Sequence, residues 1–356
     1  MALIRKRKLT DQQSRRIAKQ QQHGQAVDSD TLMDGIVISN YGKQLDVQAT
    51  SLPKQIPEKP PVAPDEPDPF WQPITLHSIW RCHTRTNLPL IATGDKVRFS
   101  ADPNTGLGRI EAIYDRHNII TRPDRYHKLK PVASNVDLLA IVFAPLPAPS
   151  AQLIDRYLVA SHYAQVTPLL ILNKADLLQD TAHADTLQLL QEYQQLGYAT
   201  LITESTGDLT ELNASVKGKT VIFAGQSGVG KSSLINHLLP AAEQSVNDIS
   251  TISQLGQHTT TTSRLLPFDP TALAKGAVID TPGIREYGLW HLTKEDILAG
   301  FIELAPLASQ CRFRDCKHTP ETPNCALWHA VETGEVLARR VENLVLLQSE
   351  TEQSSY

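Results

Sequence analysis

Eight residues, Gly225-Gln226-Ser227-Gly228-Val229-Gly230-Lys231-Ser232, follow the pattern G-x-x-x-x-G-K-[ST], and Ser233 comes directly after. The residue types suit one task, holding phosphate. Glycines let backbone N–H groups close around phosphate oxygens, and a following helix adds the positive end of its dipole. Lys231 would neutralise β/γ oxygens and assist their chemistry, and the Ser232 hydroxyl would ligate Mg²⁺. The flanks agree with the motif. The apolar run "TVIFA" predicts a strand before it, and "SSLINHLL" a helix after it. A Gly-rich turn that binds nothing is the alternative, and these flanks argue against it. The pattern points to a nucleotide and leaves the base open.

The base is addressed by Asn173-Lys174-Ala175-Asp176, which emerges from the apolar run "TPLLIL". An Asp at the end of N-K-x-D accepts from guanine N1–H and from the 2-amino group. Adenine has neither donor and would leave the carboxylate unpaired. Alone, four residues of this kind are an ordinary polar loop. Their companions raise the reading. "TEST" with Gly207 follows the next apolar run and places Ser205 and Thr206 in a second base-contacting loop. "DTPG" closes another run, offering Asp280 to the Mg²⁺ shell and the Gly283 N–H to a γ-phosphate. "GQHTTTTS" supplies a switch threonine for Mg²⁺, and Thr260 is favoured among four in a row. Many GTPases orient the attacking water with a Gln just after D-x-x-G. Here Ile284 stands there and can neither donate nor accept a proton, so hydrolysis by the isolated protein is expected to be slow. His258 is the catalytic residue these residues suggest, as a group that orders or polarises water. A surface histidine without chemical role is the alternative.

The order is unusual. From the N-terminus it runs base reader, second base loop, cradle, switch threonine, DTPG, whereas a small GTPase ordinarily starts with the cradle and ends with the base loops. One order is a cyclic rotation of the other. Because domain termini often lie close together, joining the old ends and opening a new break preserves the site. The rotation makes DTPG lead through one helical segment into the C-terminal region, which is expected to move when DTPG gains or loses a γ-phosphate contact.

That C-terminal region carries "CRFRDCKHTPETPNC". Cys311, Cys316, His318 and Cys325 match a closed, structural Cys₃His zinc site. Reduced cysteines in a small core are the alternative. Cys82 stands apart and reads as a small buried hydrophobe.

The elements that must position these residues divide the chain into expected units. Residues 1–32 form a basic, flexible arm. The first 22 residues hold seven Lys or Arg and one Asp, on a chain whose net charge is −4. A basic arm on an acidic body suits nucleic acid, and a solvated tail suits it equally. Residues 33–130 alternate apolar and polar in short runs separated by Gly, Asn and Pro, which predicts a five-stranded OB-type β-barrel with a Pro-rich insertion at 51–73. Residues 131–288 alternate near-continuous apolar runs with amphipathic stretches, which predicts a doubly wound α/β sheet. Residues 289–356 read as helical and zinc-binding. The fold class is therefore multidomain α/β. No secretory signal or membrane span is recognisable, and four cysteines are too few for a disulfide scaffold, so a reducing cytoplasm fits.

The rotated motif order, "GQSGVGKSS", "HTTTT", "DTPGIREYG" and the Cys-Cys-His-Cys cluster together resemble the circularly permuted bacterial GTPases called RsgA or YjeQ. These are small ribosomal subunit biogenesis GTPases. The likeness spans roughly residues 33–345. It implies an N-terminal OB-fold, a central permuted P-loop GTPase domain and a zinc domain. It also implies binding of GTP and GDP, and of the 30S subunit late in its maturation, with hydrolysis stimulated by the subunit and 16S rRNA contacted through the flanking domains. No membrane role follows from it, and nothing calls for more than a monomer. The spacing from His318 to Cys325 is one residue longer than the family's usual pattern. Two other readings compete: a regulatory G protein acting on protein partners without an RNA role, and an ATP-dependent enzyme in which NKAD is coincidental.

Overall fold

The structure, a computed structural model, describes residues 29–61, 69–123, 128–179, 183–204, 207–239, 263–281, 289 and 291–353. The first unit is built from β1 (Met33–Asn40), β2 (Leu45–Ala49), β3 (Ile79–Thr84), β4 (Lys96–Asp102) and β5 (Leu107–Ile113). Period-two patterning turns one side of each strand inward. Along β1 the buried positions are Met33, Gly35, Val37 and Ser39. The strands run in the order β1-β2-β3-β5-β4, and β4 returns to pair with β1. This closes an OB-type barrel and removes free edges. Val47, Trp80, Phe99 and Ile110 fill it, all fully buried. The Pro-rich insertion lies between β2 and β3, with neither helix nor strand among its described residues.

A hairpin of β6 (Ile119–Pro123) and β7 (Leu129–Ser134) follows. Its Ile120 and Ala133 pack into the core of the next unit, not that of the barrel. That next unit contains β8 (Leu138–Phe143), α1 (Ala151–Tyr163), β9 (Thr167–Leu172), α2 (Ala184–Gln195), β10 (Ala199–Ile202) and α3 (Thr210–Val216). It continues through β11 (Thr220–Ala224), α4 (Lys231–Leu238), β12 (Arg264–Pro267) and β13 (Ala277–Asp280). The strand order is β10-β9-β8-β11-β13-β12, parallel except for β12. Every residue of β8 is buried, as a strand covered on both faces must be. One face packs on Tyr157, Leu158, Leu190 and Tyr193 of α1 and α2, the other on Leu212, Val216, Leu234 and Ile235 of α3 and α4. The sheet is doubly wound. Following the same strands from β11 restores the ordinary chain order without moving one of them.

The C-terminal helices are α5 (Lys294–Ala299), α6 (Leu304–Ala308), α7 (Ala326–Glu332) and α8 (Ala338–Gln353). Thr293 and Asp296 cap α5 reciprocally, side chain to backbone in both directions. Phe301, Leu304, Leu327, Val341 and Leu344 share one core with Val159 and Ala160 of α1. Beside it lies a buried charge cluster. Arg340 donates to Asp155 of α1 and, at 2.6 and 3.0 Å, to both carboxylate oxygens of Glu303. Asn343 donates to the other Asp155 oxygen at 2.6 Å, and Arg339 to Glu192 of α2 at 2.7 Å. At the opposite end the barrel joins the same sheet, because β1 pairs with β12 at Ser39 and Arg264. Among the described residues no helix is long and apolar enough to cross a membrane.

Candidate functional site

The phosphate cradle lies between β11 and α4, at the carboxyl edge of the parallel strands, where ligands of open α/β sheets bind. Gly225 leaves β11 with φ 135°, and a Cβ there would stand 2.0 Å from the Val142 carbonyl of β8. Gly230 is left-handed, with φ 95°, and turns the chain into α4. The first-turn N–H groups of that helix have no carbonyl partner within it and face the loop. Lys231 reaches back over the loop and donates to the Gly225 carbonyl at 2.9 Å and to that of Gln226. Its ammonium thus lies among the backbone groups that would surround phosphate.

The base reader follows β9. Asn173 is fully buried. Its backbone N–H donates to Phe143 O of β8 at 2.9 Å. Its Nδ2 donates to Val229 O of the cradle, also at 2.9 Å, and its Oδ1 accepts from the Thr203 hydroxyl at 3.0 Å. One amide therefore ties the reader to the cradle, with β8 between their strands. Lys174 adopts φ 59° and donates from Nζ to Leu146 O at 2.8 Å. The "APLPAP" loop after β8 thereby borders the site, and Pro147 approaches Gly228. Asp176 is the second residue of a short 3-10 element, Ala175–Gln179, and is exposed. Ala175 N–H is held by Thr203 O at 3.1 Å. Asp280 closes β13, the neighbour of the cradle strand.

Ser205, Thr206, His258, Thr260, Gly283 and Ile284 lie outside the described residues. Thr203 and the Leu146–Pro147 loop touch the candidate residues Asn173, Lys174 and Gly228 and escape sequence reading. The one available signal was their place at the ends of strands flanking the reader.

The second cluster is Cys311, Cys316, His318 and Cys325, whose ligand atoms all lie within 4.8 Å of one another. His318 Nδ1 is 3.7 Å from Cys311 Sγ and 3.6 Å from Cys325 Sγ. A tetrahedral ion with Zn–S bonds of about 2.3 Å and Zn–N bonds of about 2.0–2.1 Å needs edges of roughly 3.5–3.8 Å, which the two His318–sulfur distances match, and three thiols with one imidazole are donors that zinc takes. Outer contacts support the set: Ala326 N–H donates to Cys311 Sγ at 3.3 Å, and the Trp328 indole donates to the His318 carbonyl at 2.8 Å. Desolvation lowers the His318 pKa and favours the neutral imidazole that a metal takes.

A family profile described as RsgA GTPase matches residues 113–290. A protein of Pseudomonas fluorescens called "Small ribosomal subunit biogenesis GTPase RsgA" is 43% identical over 324 residues, 90% of this chain and 87% of its own length. A protein of the same name from Pseudomonas putida is 42% identical over 98% of this chain and 96% of its own. Among solved structures, YjeQ from Thermotoga maritima is similar with TM-score 0.66 and 30% identity, covering 90% of this chain and 98% of that one. YloQ, described as a circularly permuted GTPase, is similar with TM-score 0.64 and 27% identity over 92% of this chain and 97% of that one.

Proposed function

Because the chain belongs to the RsgA GTPase family, we propose that it assists late maturation of the small (30S) ribosomal subunit, hydrolysing GTP to GDP and phosphate with stimulation by that subunit. The observation that carries the GTP site is the Asn173–Val229 hydrogen bond, which sets the guanine reader against the phosphate cradle. The ribosomal part is supported by the name its relatives share.

In this reading Asn173, Lys174, Ala175 and Asp176 hold the guanine with Ser205 and Thr206. The run from Gly225 to Ser233, with Gly283, holds the phosphates. Ser232, Thr260 and Asp280 would hold Mg²⁺, which when bound supplies positive charge against the β/γ oxygens. Lys231 stabilises charge developing on the transferred phosphoryl group. Since Ile284 cannot orient water, His258 takes that part once the subunit fixes its loop. The zinc set is structural. The division into arm (1–32), barrel unit (33–130), GTPase unit (131–288) and zinc unit (289–356) belongs to the proposal, as do contacts to 16S rRNA, a monomeric state and a cytoplasmic place of action.

The test is the GTPase rate with and without purified 30S subunits. Subunits should accelerate turnover by at least about tenfold, a floor set well below the roughly 10³–10⁵-fold that an arginine finger supplies in other GTPases. His258→Ala should lose that acceleration. An unchanged rate on adding subunits would remove the ribosomal reading.

A further inference from the structure

The barrel meets the GTPase core along a thin backbone seam. Among the described residues β1 and β12 pair at one position, Ser39 with Arg264. A single pair fixes a point of contact and leaves an angle free. A second point lies on β2, where the buried Gln48 amide donates to the Pro270 carbonyl, between β12 and β13, at 3.2 Å. The third point holds a buried charge.

Asp95, at the entry to β4, is fully buried. One of its carboxylate oxygens accepts from the Ser134 hydroxyl and from Arg116 Nε, each at 2.6 Å. The other accepts from Ala92 N–H at 2.7 Å and from Arg116 Nη2 at 2.6 Å. A carboxylate offers about four acceptor sites, so all of them are taken. Arg116 lies in the segment joining β5 to β6, and its Nη2 also donates to the Leu90 carbonyl at 2.7 Å. Ser134 ends β7, whose Ala133 packs in the GTPase core. Backbone contacts run alongside. Ser134 N–H donates to Thr93 O at 2.9 Å, and Asn135 Nδ2 to Gly94 O at 3.0 Å. Gly94 has φ 94°, and a Cβ there would stand 2.3 Å from the Ser134 carbonyl. On the core side Asn118 accepts from Val136 N–H at 2.9 Å and donates to the Val136 carbonyl at 2.6 Å.

A hinge turns about one contact, and three contacts on β1, β2 and the β4 loop oppose it. Turning the barrel would break charge-assisted bonds and leave buried polar groups without partners, a penalty that sliding apolar surfaces do not carry. We propose that Asp95 is the centre of an orientation lock. Barrel and GTPase core form one rigid body, with the same mutual angle whether GDP or GTP is bound. A partner seated on the barrel therefore stands at a set distance from the nucleotide site, whatever that partner is.

Spin labels on non-native side chains at exposed Lys43, in the barrel, and exposed Gln194, on α2, leave the cysteines untouched. Pulsed dipolar spectroscopy of the labelled full chain should give one narrow distance, the same with GDP and with a non-hydrolysable GTP analogue. Two populations, or a distance that shifts with the nucleotide, overturn the proposal. Asp95→Asn keeps the shape and removes the charge that holds Arg116. Its distance distribution should broaden. GDP affinity should stay within about twofold of wild type, because the contacts described give the Asp95 cluster no partner in the cradle or the reader. Ser134→Ala removes one donor and leaves the ion pair, so it should broaden the distribution less, and it reads the same property if D95N does not fold. Distributions as narrow as wild type in the folded variants overturn the proposal. A fall in GDP affinity in step with the broadening does so too, since it would mean general loosening.

Discussion

A carbonyl oxygen can only accept, so the contact with Val229 O fixes which end of the Asn173 amide is nitrogen. The Thr203 hydroxyl must then donate to Oδ1. In the proposed site the Asn173 side chain is a strut that joins the base half to the phosphate half. Asn173→Ala would leave a buried carbonyl and a buried hydroxyl without that partner and let the reader drift from the cradle. GDP affinity should fall by about 10–100-fold, given roughly 1–3 kcal/mol for each buried polar group stripped of its bond. Guanine should still be preferred over adenine, because Asp176 keeps its acceptors. Competition of GDP and ADP against a fluorescent guanine nucleotide measures both, and loss of the preference would show that Asn173 reads the base itself. The residues that announce this site are legible in sequence because phosphate and guanine demand particular groups at particular spacings. Thr203 is not. A threonine at a strand end is chemically ordinary until the fold sets it beside an amide.

The strands of the central sheet are read from sequence because burial on both faces requires apolar residues without alternation, as in β8 and β9. Partner choice is harder. The β6–β7 hairpin has the texture of the barrel strands, yet packs on the GTPase core, since alternation says that a strand has an inner face and not which core receives it. The "ARRVENLVLL" run of α8 is equally ambiguous, with two adjacent arginines that would suit a solvated face. The fold instead leaves Arg340 1% and Asp155 0% exposed. Burial alone would lower the Arg340 pKa, but Asp155 and Glu303 outweigh it and raise it, so the guanidinium stays charged. Removing either partner strands a buried charge. Arg340→Met and Asp155→Asn should each cost about 3–5 kcal/mol, and the double variant clearly less than their sum. Urea unfolding of the four proteins checks this, and additive losses would mean the two charges do not stabilise one another across the interface.

At the scale of the whole chain, one eleven-stranded sheet runs from the barrel through the GTPase core, and α8 is locked to α1 and α2 on the far side. Movement of the Cys/His region against the GTPase core, expected from the rotated order, would have to break a charge pair buried on both sides. The zinc set lies elsewhere in that region, between α6 and α7, and its sulfurs Cys311, Cys316 and Cys325 belong to the same hydrophobic cluster as Leu304 and Leu327. Metal bound there would cross-link the loop from Cys311 to Cys325, whereas α8 keeps its ion pairs and its own core contacts without it. Stripping the metal with a strong chelator should therefore release about one zinc per chain and lower the thermal midpoint by several degrees, on the scale of about 4 °C or less per kcal/mol for a protein of this size. GDP binding should hold, because no ligand of the cluster touches the cradle or the reader in the contacts described above. Calorimetry together with GDP titration of the stripped protein decides the matter. A fall in GDP affinity in step with zinc loss would show that the cluster supports the nucleotide site through α1, and that the buried Asp155–Arg340 pair transmits its state instead of insulating the site from it.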